Sequence, residues 1–190
     1  MVGAILTQNT AWTNVERAIK NLRQAKLLQA KAIVLCRRER LAKHLRPSGY
    51  FNVKAKRLKN YCSWYLGAGE YRRLKHLETT DLRRALLAVN GVGPETADDI
   101  LLYAFDRPVF VVDAYTRRLF ERLGVLSGAE SYEEVRGLFE SGLGLETSLF
   151  NEYHALIVHH AKHICRPRPL CADCVLSEYC SRQGAKYAKE

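Results

Sequence analysis

With 190 residues, 47% of them hydrophobic, and a formal charge of +10, the chain can build one domain or two small ones around a sizeable core. So basic a balance makes a polyanion, nucleic acid first, the partner to look for; a basic surface with no ligand is the plainer alternative. The absence of a signal-peptide pattern and of an apolar run long enough to span a bilayer argues against a membrane protein and for a cytoplasmic one, nucleoid-associated if prokaryotic. In such a reducing setting six cysteines point to metal or chemistry rather than disulfides.

The chain opens on an apolar run, Met1-Val2-Gly3-Ala4-Ile5-Leu6, which reads as the middle of a buried helix rather than as a free terminus. Gln8-Asn9-Thr10-Ala11-Trp12 follows as a polar turn carrying one large aromatic. Thr13 and Glu16 have the spacing of a capping box. Val15, Ala18, Ile19 and Leu22 then recur at helical period. Ala30 to Leu45 is a basic amphipathic helix, broken near Cys36, that stops before the turn Pro47-Ser48-Gly49. A further helix runs from Val53 to Leu66. Its Lys54, Lys56 and Arg57 read either as phosphate contacts or as a solvated face. Cys36 and Cys62, on helices, read as buried apolar residues.

The most informative stretch is Leu86 to Asp113. A helix entering from Asp81 ends at Asn90, Gly91-Val92-Gly93 turns the chain, and a second helix opens at Pro94 and runs through Phe105. Gly91 suits the left-handed residue past a helix end, and Pro94 the first helical position, where its missing N–H costs nothing. Gly93 lets another backbone approach closely, and Val92 points inward to hold the two helices together. The N–H groups at the start of the second helix can then hold a phosphate.

Val109 to Val112 is a short extended run, too short to imply a sheet. A helix from Asp113 to Leu123 ends at Gly124, Ser131 with Glu134 marks another helix start, and a last helix runs from about Ser148 to Ile164. His154, His159, His160 and His163 lie on it. His159 and His163 are spaced like a metal pair, but without a third ligand all four read as structural or surface residues. Cys165, Cys171, Cys174 and Cys180 follow at C-x5-C-x2-C-x5-C spacing, as structural zinc ligands or as ligands of an iron–sulfur cluster. Zinc sites usually come as two C-x2-C pairs, so the single pair favours the cluster. Arg166 and Arg168 in the first loop of this group either face phosphates or are solvated. The fold expected is all-α, with one helical domain over 1–107 carrying the hairpin at 81–105 and another over 108–190 carrying the four-cysteine loop at 165–180.

The hairpin Asn90 to Ala97, the Val112-Asp113 pair and the terminal four cysteines, in that order, resemble the endonuclease III superfamily of helix-hairpin-helix DNA glycosylases. The resemblance covers essentially the whole chain. It implies two all-helical lobes with a DNA-binding cleft between them, a 4Fe–4S cluster on the four cysteines, and a monovalent cation beneath the hairpin turn. It also implies double-stranded damaged DNA as partner and a protein acting as a monomer. Three departures stand out. The family's opening helix is missing. The first cysteine gap is five residues where familiar members have six. Glu95 occupies the place of the lysine whose amine forms a Schiff base in members that also cut the strand.

A monofunctional glycosylase is therefore expected. Gly3 to Trp12 and Val111 to Tyr115 are most similar to the 3-methyladenine branch, which excises alkylated purines. The alternatives are a glycosylase/AP lyase on oxidised pyrimidines or mismatches, and a non-catalytic DNA-binding relative. On the family pattern, Asp113 is the catalytic carboxylate; its plainer reading is a helix N-cap. Gln8 fills the gap left by the flipped base, or caps a helix. Trp12 walls the base pocket, where an aromatic face attracts a cationic alkylated purine, or is an ordinary core ring. Gly91, Val92, Gly93 and Thr96 hold the phosphate backbone, with Arg166 and Arg168 added from the cysteine loop.

Overall fold

The computed structural model describes residues 1–181. Among them every regular element is helical, and no helix is long and apolar enough to cross a membrane. The chain divides into two compact units, Met1–Phe105 and the segment from Asp106 onward.

The first unit carries α1 (Val2–Leu6), α2 (Trp12–Gln24), α3 (Ala30–Leu35), α4 (Arg38–Leu45), α5 (Phe51–Gly67), α6 (Glu70–Leu74), α7 (Thr79–Leu87) and α8 (Pro94–Phe105). Helix α5 is its centre, packed against α1, α3 and α4. Ile5, Leu6, Val15, Ala18, Leu22, Leu41, Leu45, Ala55 and Leu58 are all fully buried on α1, α2, α4 and α5, helices that pack on one another. The apolar opening thus forms a short helix of its own. The expected break falls at Cys36, which is extended, and Lys59 closes it: its ammonium donates to the carbonyls of Val34 at 2.5 Å and Cys36 at 2.6 Å, at the negative end of α3. Cys36 and Cys62 are both buried, and burial pushes the Cys62 thiol up to about 12, so it stays a protonated apolar group.

Two sequence expectations fail in this unit. The capping box at Thr13 does not form: α2 starts two residues earlier than that box would place it, with Ala11 at its cap and no side-chain cap bond. The carbonyl of Ala11 accepts from Asn14 N at 3.0 Å, so Thr13 already lies within the first turn. Lys54 is not a phosphate contact. It is 1% exposed, and its ammonium donates to the carbonyls of Leu6 at 2.9 Å and Ser48 at 2.5 Å. It shares the inward face of α5 with Ala55, Leu58, Tyr61 and Cys62, and its length carries the charge to carbonyls across the core.

The second unit carries α9 (Ala114–Leu123), α10 (Tyr132–Leu143) and α11 (Thr147–His163), then the cysteine loop with short 3₁₀ turns at Cys171–Asp173 and Ser177–Tyr179. Phe110 is its hub, stacked on Phe139 at 4.3 Å and meeting Phe150 edge-on at 5.5 Å. Val109 to Val112 is buried but forms no strand. The capping box at Ser131 and Glu134 forms, and Gly124 closes α9 with φ +78°.

Candidate functional site

The hairpin is the joint of α7 and α8. Helix α7 ends at Leu87, Val89 N donates to the Leu86 carbonyl at 3.0 Å, and the turn passes through Gly91 at φ +97°. Two constraints require glycine there: the left-handed backbone, and Arg57, whose Cγ would lie 2.3 Å from an added Cβ. Val92 is buried, as its place between the glycines predicted. Gly93 is exposed, and nothing beyond its own chain neighbours lies within 4 Å of where its Cβ would be, so the turn surface there is open to a partner. Pro94 opens α8, whose first-turn N–H groups lack helical acceptors.

Polar side chains hold this turn from three directions. Arg83 on α7 grips the fully buried Asp98 on α8 through two bonds, Nε to Oδ1 at 2.7 Å and Nη2 to Oδ2 at 3.1 Å. Asn60 on α5 donates to the Asn90 carbonyl at 3.1 Å. Gln8 reaches across 88 residues of sequence. Its Nε2 donates to the hydroxyl of the buried Thr96 at 2.9 Å and to the Gly91 carbonyl at 3.1 Å, and its Oε1 accepts from Arg57 at 2.5 Å. Gln8 is thus wired to the hairpin. Trp12, at the start of α2, is 46% exposed and is no core ring; its indole lies over Gly3, where a Cβ would come within 3.3 Å.

Beside the turn lies a basic cavity of about 620 Å³, lined by Arg38, Lys56, Arg57, Asn52 and Asn90 among others. Sequence reasoning missed it as a cavity, although Lys56 and Arg57 were in view; Arg38 joins them only through packing. Tyr50, 70% exposed at φ +42° just before α5, was likewise not singled out.

In the second unit Asp113 is the N-cap of α9. Its Oδ1 accepts from Thr116 N at 2.7 Å and from the Thr116 hydroxyl at 3.0 Å. Its Oδ2 stands 3.5 Å from His154 Nε2 on α11. Burial pushes the Asp113 carboxyl up, but the bond and charge of His154 and the two bonds from Thr116 outweigh it and hold the group below its ordinary range. His154 was read only as a structural or surface residue. The available signal was its line with Phe150, Ile157 and Ala161 on the buried face of α11.

The cysteine loop is tied to α9 by arginines. Arg118 donates to the carbonyls of Cys165 at 3.0 Å and Ala161 at 2.9 Å. Arg122 donates to the Cys165 sulfur at 3.2 Å and to the carbonyls of Arg166 and Pro167, while Cys180 Sγ lies 3.2 Å from the Arg122 carbonyl. Cys174 Sγ lies 3.6 Å from His160 Nε2. Arg166 and Arg168 are exposed. The donor set, four thiols with a guanidinium bonded to one sulfur, fits a soft metal or an iron–sulfur cluster. Among the described residues, however, no group of three or more His, Cys, Asp or Glu side chains is gathered closely enough to hold a metal ion.

The family described as HhH-GPD superfamily base excision DNA repair protein matches residues 2–144. A protein of Methanocaldococcus jannaschii, named as a candidate DNA repair glycosylase, is 49% identical over 95% of this chain and 83% of its own. The solved structure of the H. pylori 3-methyladenine DNA glycosylase bound to 1,N6-ethenoadenine superposes with a TM-score of 0.76, at 32% identity, over 85% of this chain and 82% of that one. Endonuclease III in a non-covalent DNA complex superposes with a TM-score of 0.82 over 99% of this chain and 84% of that one; at 21% identity it shows the shared fold.

Proposed function

From the premise that this chain belongs to the HhH-GPD superfamily of base excision DNA repair proteins, we propose that it is a monofunctional glycosylase that removes alkylated bases such as 3-methyladenine from duplex DNA. The observation that carries this reading is the setting of Asp113, a partly buried helix-cap carboxylate with Thr116 on one oxygen and His154 beside the other, both of which favour its ionised form. The sequence adds Glu95, where a strand-cutting enzyme needs an amine. The similarity to the H. pylori 3-methyladenine enzyme supports the choice of lesion.

The target base leaves the stack at a cost of a few kcal/mol. As the bond from sugar C1′ to the base nitrogen breaks, its electron pair departs with the base and positive charge builds on the sugar. Asp113 stabilises that charge, and accepts the proton of the water that adds to C1′. An alkylated base is already a good leaving group, which suits a site with no strong acid. Trp12 offers an exposed aromatic face to the cationic base. Gly91, Val92, Gly93 and Thr96 form the phosphate-binding turn, and a monovalent cation beneath it would be held by turn carbonyls. Gln8 acts through the hairpin it bonds, as well as at the gap left by the base.

Cys165, Cys171, Cys174 and Cys180 would hold a 4Fe–4S cluster, which would supply the cross-link that so short a loop needs to keep one shape. Arg166 and Arg168 then face phosphates from a fixed loop. The protein works as a monomer on DNA in the cytoplasm.

Duplex DNA treated with a methylating agent tests the reading. Released 3-methyladenine with no strand nicks is the expected result. Borohydride-trappable nicking would instead establish the lyase alternative suggested by the endonuclease III relatives. DNA binding with no release from methylated, oxidised or mismatched substrates would leave a binding protein. Replacing Asp113 by Asn should abolish release, by roughly 10²–10⁴-fold, with binding retained.

A further inference from the structure

The two carboxylate oxygens of Asp113 have different neighbours. Oδ1 is committed to the helix: the backbone N–H and the hydroxyl of Thr116 both donate to it. A carboxylate is planar, so this cap also sets where Oδ2 lies, but it anchors the group at one oxygen only. The buried His154 stands at the other, its Nε2 3.5 Å from Oδ2. The histidine is itself well placed to hold still. It is 8% exposed, on the face of α11 that also buries Phe150, Ile157 and Ala161, and α11 packs directly on α9.

Several charged and polar groups on the elements around the pair hold other partners. On α9, Arg117 donates to the Glu130 carbonyl at 2.9 Å, and Arg118 to the carbonyls of Ala161 and Cys165. On α11, Lys162 stands over the Tyr115 ring at 5.6 Å. On α10, Glu140 accepts from Phe110 N and pairs with Arg136, which also pairs with Glu133. Tyr132 turns its hydroxyl to Val112 N.

We propose that His154 is a positioning residue for base excision: its imidazole fixes Oδ2 of Asp113, so that the oxygen left over by the helix cap presents one oriented lone pair to the sugar or to the attacking water. The inference rests on the reading of Asp113 as the catalytic carboxylate. It gives the cap a second consequence. A capping aspartate by itself needs one oxygen, and a buried histidine aimed at the other has no part in ending a helix. The imidazole also favours the carboxylate over the carboxylic acid, in line with the depressed range of Asp113. A carboxylate anchored at Oδ1 alone rocks about that anchor more widely than one also restrained at Oδ2, a small displacement to which rates are sensitive.

The test uses the full chain with His154→Phe, which keeps the ring and removes its nitrogens, and His154→Gln, which restores a donor. Two readouts are taken: the single-turnover rate of base release from methylated duplex DNA alongside affinity for DNA bearing an uncleavable abasic analogue, and the titration of the Asp113 carboxyl carbon by NMR. His154→Phe should lower the rate roughly ten- to a hundredfold with affinity within about twofold, a kcat effect rather than a KM effect. Its Asp113 carboxyl should titrate at higher pH, and the acid limb of the rate profile should move with it. His154→Gln should recover a large part of the rate. An unchanged rate and titration in His154→Phe would overturn the proposal, and so would a His154→Gln protein as impaired as His154→Phe, because packing alone would then explain both. A wild-type protein that releases no base would sink the reading of function instead. In that case a titration of Asp113 that does not respond to His154→Phe would remove the pairing as well, and a response would leave the pairing standing without its catalytic role.

Discussion

The hairpin and the cysteine loop solve the same problem, holding irregular backbone still, by different means. The hairpin is held by its own helices. Gly91 supplies the one backbone conformation needed, Val92 is buried beneath the turn, and a buried ion pair clamps α7 to α8. The cysteine loop has two single 3₁₀ turns, no fully buried apolar side chain between Arg166 and Ser181, and a set of arginine bonds to its carbonyls. A turn set between two packed helices inherits their stability; a loop without a core must be tied from outside, by cations on its carbonyls and by a cross-link. The proposed cluster belongs to the second case only.

The largest effect that would sharpen this contrast is at the clamp. Arg83→Met removes both guanidinium bonds from the buried Asp98 carboxylate, and should cost about 3–5 kcal/mol of stability in urea unfolding of the whole chain. Next is Arg122→Met, which removes charged bonds to the loop. It should cost about 1.5–3 kcal/mol and should release the loop to limited proteolysis before the helices unfold. If Arg122→Met unfolds the protein as broadly as Arg83→Met, the two regions are not independently held and the contrast breaks. Gly91→Ala forces a Cβ into the left-handed region and against Arg57, and should cost about 1–3 kcal/mol, read as a lowered melting temperature. The smallest effect is on the surface. Arg166→Ala or Arg168→Ala should leave stability alone and lower the salt slope of DNA binding by about 1 each if these side chains meet phosphates.

The same contrast explains what the sequence made legible. The hairpin is local: Gly91, Val92 and Pro94 each carry a backbone or burial requirement within a few residues, so its form could be read directly. Most helices of both units were readable from periodicity and turn residues, α6 excepted, and the capping box at Ser131 from two residue types three apart. The failures lie where a side chain acts at long range. Lys54 and His154 are polar residues on apolar helix faces, and each finds its partner on another element. Composition suggests solvent for both, whereas helical arithmetic places both inside; the arithmetic was the better guide. Gln8 was singled out, but its bond to Thr96, 88 residues away, has no local signature. The cap at Thr13 fails for the opposite reason: the local motif is present, and the buried line of Val15, Ala18 and Leu22 starts the helix at Trp12 instead.

The buried ammonium of Lys54, bonded to the Leu6 and Ser48 carbonyls, has a consequence for proton linkage. Burial, with the nearby charge of Arg57, lowers its ammonium to about 8 in the folded chain, below its ordinary value of 10.5. Below pH 8 both folded and unfolded chains carry the charge, and the folded one bears the cost of enclosing it. Between that point and the ordinary lysine range the folded chain has released a proton that the unfolded chain still holds, so stability through this residue rises as the solution becomes more alkaline. A protein with a net charge of +10 should therefore gain, in mild alkali, from a lysine at its centre as well as from relief of repulsion at its surface. Comparing urea midpoints of wild type and Lys54→Met from pH 7 to about 10 isolates the first contribution: the wild-type curve should climb across that window relative to the variant.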